Sequence, residues 1–179
     1  SYNSAVKKAA PAVVNIYTEQ ISKPLRKGGS RRNNSIFGQN ISKKSSSLGS
    51  GVIFSSNGYI LTNQHVIGNE AVGITIELLD GSKTQAKVVG IDKETDLAVL
   101  KIEPKNLDLP AIEIGNSDSL LIGDIVLAVG NPYGLGQSVS MGIISATGRE
   151  FNNPYSNYLQ TDASINKGNS GGALIDTQG

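Results

Sequence analysis

Two dipeptides constrain this fold more than anything else in the chain: Asn57-Gly58 and Asp80-Gly81. Each lies between short runs rich in β-branched and aromatic residues, which is the signature of an antiparallel hairpin closed by a two-residue turn. They pair residues 51–55 with 59–62 and residues 74–79 with 83–91. Further runs at 12–18, 97–102, 125–130, 138–147, 157–161 and 173–175 bring the expected total to about ten strands. The one helix expected is at residues 1–10, Ala-rich and stopped by Pro11. Many short strands separated by turn residues argue for an all-β chain, a barrel or a sandwich. No glycine-rich phosphate loop precedes a helix, which argues against a nucleotide-binding fold.

A polar connector at 107–122, with Pro110 and the turn Gly115-Asn116-Ser117-Asp118, divides the 179 residues into halves at 1–106 and 107–179. With no Trp and few aromatics, the core must come from Val, Ile, Leu and Ala. With no Cys, there are no disulfides, thiolate metal sites or cysteine nucleophile, and the single histidine excludes multi-histidine metal centres. No metal and no cofactor is therefore expected. No apolar run is as long as a membrane span, and no secretory signal is read in the sequence. A near-neutral total conceals an asymmetry in charge. Residues 20–47 hold seven of the 16 basic residues and none of the 15 acidic ones, so the remainder carries a net charge of −6. This basic stretch, rich in Ser, Gly and Asn, reads as a long mobile surface loop. It has one aromatic, Phe37, and so lacks the interleaved aromatics of a nucleic-acid surface.

Near the end, three glycines surround one serine in Gly168-Asn169-Ser170-Gly171-Gly172. A serine held in a glycine-rich turn presents its hydroxyl outward and gathers backbone N–H groups beside it, as a nucleophile with an oxyanion hole requires. A capped surface turn would read the same way, so the partners decide. His65, just past a strand, can serve as the base. Asp96 directly precedes an apolar strand, where a carboxylate can be held rigidly in a dry setting and can orient the imidazole. Asp92 competes for that place. The chain order His, Asp, Ser is that of chymotrypsin-like double barrels, whose first barrel supplies His and Asp and whose second supplies Ser. Here His65 and Asp96 precede the connector and Ser170 follows it.

Four separated motifs then carry a resemblance: Thr62-Asn63-Gln64-His65-Val66, Thr95-Asp96-Leu97-Ala98-Val99-Leu100, Gly130-Asn131-Pro132-Tyr133-Gly134-Leu135-Gly136, and Thr161 through Leu174 around the serine turn. The chain resembles the HtrA family of ATP-independent serine proteases of protein quality control, nearest its DegS-like, stress-sensing bacterial branch. The resemblance implies a trypsin-like double β-barrel with a catalytic triad of His65, Asp96 and Ser170. It implies an oxyanion hole from Gly168, Asn169 and Ser170, and Ile165 lining a pocket for a small or medium apolar residue. It also implies a regulatory cluster of Tyr133, Leu135, Arg149 and Gln160.

At the level of the whole protein the resemblance implies protein or peptide substrates, a homotrimer and a PDZ domain. It implies a bacterial periplasmic location, with an inner-membrane anchor continuing from the first helix outside this chain. In the family, a long loop in the position of residues 20–47 reaches a neighbouring subunit. Ten strands leave the second barrel two short, so a truncated protease domain is expected. Two rival readings remain at this stage: a proteolytically inactive, chaperone-type scaffold, and a polyanion-binding module acting through the basic stretch.

Overall fold

The computed structural model describes residues 1–21, 43–68, 73–104, 109–131, 136–150, 155 and 157–179. Helix α1 (Asn3–Ala9) runs into a 3-10 turn (Ala10–Ala12), where Pro11 redirects the chain. Six strands follow: β1 (Val13–Ile21), β2 (Lys43–Ser55), β3 (Tyr59–Asn63), β4 (Gly73–Glu77), β5 (Lys83–Asp92) and β6 (Leu97–Ile102), with the single-turn helix α2 (Gln64–Ile67) after β3. They close into an antiparallel barrel in the order β1-β2-β3-β6-β5-β4. Every second side chain points inward. Ile16, Ile53, Ile60, Ile76, Leu100 and Ile102 are fully buried there, and each contributes about 1.5–3 kcal/mol on leaving water.

Strands β7 (Ile125–Gly130), β8 (Ser138–Arg149), β9 (Tyr158–Thr161) and β10 (Ala173–Ile175) form a four-stranded sheet in the order β10-β7-β8-β9. Helix α1 packs against β7 and β10 of this sheet. Ala5 and Ala9, one turn apart, pack on Leu127, Val129 and Ile175, and Val13 of β1 joins them from the barrel. Small residues on the helix let its backbone lie close to the sheet. The chain is thus all-β apart from short helical pieces: one closed barrel and, among the described residues, half of a second.

Two expectations change. Both hairpins have three-residue loops rather than two-residue ones. In the first, the Gly58 N–H donates to Ser55 O and Gly58 follows with φ 91°. In the second, the Gly81 N–H donates to Leu78 O with φ 83°, and Ser82 O closes the ladder by accepting from the Leu78 N–H. A turn followed by a left-handed glycine matches the twist of the strands as a two-residue turn would. The basic stretch is also shorter as a loop than its composition indicated. β1 and β2 pair from Val13↔Val52 out to Ile21↔Lys43, because an antiparallel ribbon satisfies its own backbone groups whatever its side chains. The rest of that stretch, residues 22–42, lies outside the described residues.

Candidate active site

β3 ends at Asn63 and passes directly into α2, so His65 stands at the barrel rim. β6 begins one residue after Asp96 on the neighbouring strand of the same sheet, with Asn63 opposite Leu97. The two rim segments are tied together by the backbone and side chain of Asp96. Asp96 O accepts from the Gln64 N–H at 3.0 Å and from Asn63 Nδ2 at 3.0 Å. Asp96 Oδ1 accepts from the His65 N–H at 2.9 Å, and Oδ2 lies 2.7 Å from His65 Nδ1. A carboxylate can only accept, so Nδ1 carries a proton, and in the neutral imidazole it is Nε2 that keeps the lone pair. Asp96 holds φ 56°, the only positive value among the described non-glycine residues. Asp tolerates that conformation better than most residues.

Asp96 is not in the dry setting expected from its place before an apolar strand. Its side chain is 41% exposed and that of His65 is 57% exposed. Hydrogen bonds rather than burial fix the pair, since four acceptor contacts define its position without a hydrophobic cover. Asp92, the competing carboxylate, ends β5, and its Oδ1 accepts from the Glu94 N–H of the turn that follows.

The segment around Ser170 is two consecutive turns sharing Asn169. In the first, the Asn169 N–H donates to Asn166 O at 3.1 Å, with Gly168 at φ 97°. In the second, the Gly172 N–H donates to Asn169 O at 2.8 Å, with Gly171 at φ 81°. A positive φ at the third position alone defines type II for each, which is why glycine stands at 168 and again at 171. Ser170 occupies the second position of the second turn. Among the described residues, the N–H groups of Gly168 and Ser170 have no acceptor, and no hydrogen bond joins Ser170 Oγ to His65.

The double turn rests on the barrel. The Ser50 N–H of β2 donates to Ser170 O at 2.8 Å, and Ser50 Oγ donates to Gly168 O at 2.6 Å. Thr62 Oγ1 of β3 donates to Ser50 O at 2.8 Å. The approach is close: a Cβ on Gly171 would meet Ser50 O at 2.2 Å and Thr62 Oγ1 at 2.4 Å. A Cβ on Gly49 would lie 2.8 Å from both Ser170 O and Val66 Cγ2. Gly49 therefore separates the Ser170 backbone from the residue after His65, which brings the serine turn beside the His65–Asp96 pair.

Asn169 is buried with Oδ1 against the Gly130 backbone, and Ile165 is 63% exposed beside the turn. Gln160 and Arg149 lie exposed on the paired strands β9 and β8, opposite Ala146 and Tyr158 respectively. Tyr133 and Leu135 lie outside the described residues. Among the described residues there is no cluster of three or more His, Cys, Asp or Glu that could hold a metal ion.

Sequence reasoning missed Ser50. Its signal is the triplet Gly49-Ser50-Gly51, inside β2, where glycine in a strand marks a close approach of another backbone. Such a triplet also reads as a linker, and only the fold shows what comes near.

The family model described as trypsin-like peptidase domain matches residues 49–179. Serine endoprotease DegS of Escherichia coli (strain K12) is 50% identical over all of this chain, which spans 46% of that sequence. Periplasmic serine endoprotease DegP of the same organism is 47% identical over 88% of the chain, which spans 33% of it. The solved structure of the HtrA-type protease AlgW with a decapeptide superposes on 99% of this chain and 56% of its own length, with a TM-score of 0.81 at 52% identity. The chain thus spans from a third to just over half of the length of these relatives, and it belongs to the trypsin-like peptidase domain family, on its HtrA-type branch.

Proposed function

We propose that this chain is the protease domain of an ATP-independent serine endopeptidase that cleaves unfolded or exposed segments of other proteins. The observation that carries the reading is the 2.7 Å contact of His65 Nδ1 with Asp96 Oδ2, beside a serine turn in which the N–H groups of Gly168 and of Ser170 itself have no acceptor among the described residues. Ser170 Oγ attacks the scissile carbonyl carbon and its proton passes to His65 Nε2. The carbonyl pair becomes an oxyanion, held by the N–H groups of Gly168 and Ser170. Asp96 remains ionised and stabilises the imidazolium. His65 then protonates the departing amine as the C–N bond breaks, and a water deprotonated by His65 releases the acyl group from Ser170.

Ile165 lines the pocket for the residue before the scissile bond. Tyr133, Leu135, Arg149 and Gln160 couple the oxyanion turn to an activating signal. The whole protein works in the bacterial periplasm as a homotrimer with a PDZ domain and an inner-membrane anchor, serving quality control or envelope stress signalling. The names of the relatives, serine endoprotease DegS and periplasmic serine endoprotease DegP, support the protease and periplasmic parts of that wider reading.

A fluorophosphonate probe tests the chemistry directly. The full-length protein should be labelled at Ser170, with labelling abolished by Ser170→Ala and by His65→Ala. A folded full-length protein that resists labelling would favour the inactive, chaperone-type scaffold instead.

A further inference from the structure

We infer that Ser50, on the first barrel, is a positioning residue that sets the oxyanion turn of the second half; the role rests on the catalytic reading above. All three polar groups of Ser50 are engaged. Its N–H donates to Ser170 O at 2.8 Å, its O accepts from Thr62 Oγ1 at 2.8 Å, and its Oγ bridges two further partners. The hydroxyl donates to Gly168 O at 2.6 Å and accepts from the Asn131 N–H, just past β7, at 2.9 Å. A hydroxyl has a single proton, so its one donor is used up and its rotor is fixed. Ser50 is completely buried, so water does not compete for these partners.

The consequence lies in which atoms are anchored. Gly168 O and Ser170 O, the carbonyls of the two residues whose N–H groups face the developing negative charge, both bind one residue of β2. Ser170 O is held through the Ser50 backbone, which any substitution except Pro retains. Gly168 O is held through the hydroxyl alone. Removing the hydroxyl therefore releases the Gly168 side of the turn while leaving the nucleophile's own anchor in place. It also leaves Gly168 O and the Asn131 N–H without a protein partner at a packed junction. The Gly168 N–H then loses its fixed aim at the oxyanion. That loss acts on the transition state and not on the bound substrate.

The test compares wild type with Ser50→Ala in the full-length protein, using a fluorophosphonate to count competent sites and denatured casein as the substrate. Removal of one oxyanion donor outright costs about 10²–10³-fold in kcat. Loosening one donor should lower kcat per labelled site by about 10- to 100-fold, with KM within about twofold. Circular dichroism at the assay temperature reports the fold. If Ser50→Ala does not fold, Ser50→Cys keeps the side-chain shape, slightly enlarged, with a much weaker donor and should show the same loss in kcat. Unchanged kcat in a folded variant, or a rise in KM that accounts for the whole effect, overturns the role of Ser50. Failure of wild type itself to label at Ser170 overturns the catalytic reading, and this role with it.

Discussion

Asp96 illustrates how much one residue can fix when its backbone is engaged as fully as its side chain. Its φ of 56° turns both carboxylate oxygens toward α2 while its carbonyl accepts from Gln64 and Asn63. Asn is the substitution that isolates the charge. It tolerates the same left-handed conformation, has the same size, and keeps an oxygen for the His65 N–H. An amide NH2 facing Nδ1 reverses the imidazole tautomer, so Nε2 carries the proton and cannot act as base. Asp96→Asn is expected to leave the melting temperature nearly unchanged and to lower kcat by roughly 10⁴-fold, as in other Ser-His-Asp enzymes. Steady-state peptidase kinetics beside thermal unfolding check both halves. A folded Asp96→Asn with near-normal kcat would remove Asp96 from the mechanism.

At the scale of elements, the sequence was legible wherever apolar period and turn chemistry agreed. All ten expected runs became strands, nine of them within a few positions of their expected ends and β2 starting eight residues early, and His65 and Asp96 lie on the barrel while Ser170 lies in the second half. Legibility failed where backbone pairing or distant contacts decide. Asn57-Gly58 marks a hairpin but not its loop length. Lys43 and Lys44 are in a strand that their neighbours in sequence argue against. Ser50 acts on a turn about 120 residues away, and no local pattern encodes that contact.

A cross-strand cluster on the barrel wall was equally invisible and is directly testable. Tyr17 of β1 donates its hydroxyl to Glu77 Oε2 of β4 at 2.5 Å, and Lys83 Nζ of β5 lies 5.0 Å from the centre of its ring. Burial, then the hydrogen bond to Glu77 and the charge on that carboxylate, push the Tyr17 phenol up to about 12. The protonated form is the one favoured by folding. The cluster's contribution is therefore complete below pH of about 10, the ordinary value, and is lost as pH rises from there through about 12. Subtracting the ultraviolet tyrosinate titration of Tyr17→Phe from that of wild type should leave one transition centred near 12. A difference curve centred near the ordinary value would show that Glu77 and burial exert no hold.

For the molecule as a whole, closure divides the chain into two regimes. Every strand of the barrel is paired on both sides, whereas β9 and β10 are edges of the four-stranded sheet among the described residues. Edge strands open first, because fewer hydrogen bonds and less buried surface hold them. In the 179-residue chain, amides at the barrel centre, such as Ile60 and Leu100, should exchange with deuterium more slowly than those of Leu159 and Leu174.

The informative amide is that of Ser50. It belongs to a barrel strand by sequence, yet its acceptor is Ser170 O, contributed by the other half. If the serine turn undocks with the second sheet while the barrel stays closed, the Ser50 amide exchanges with the sheet class. If the halves open together, it exchanges with Ile60. The first outcome is expected, since the bonds crossing the junction from Ser50 are few beside the two ladders that hold each barrel strand. It would mean that the working shape of the oxyanion turn is governed by the stability of the sheet that carries it. The second outcome would make both halves one cooperative unit, with the turn as stable as the barrel.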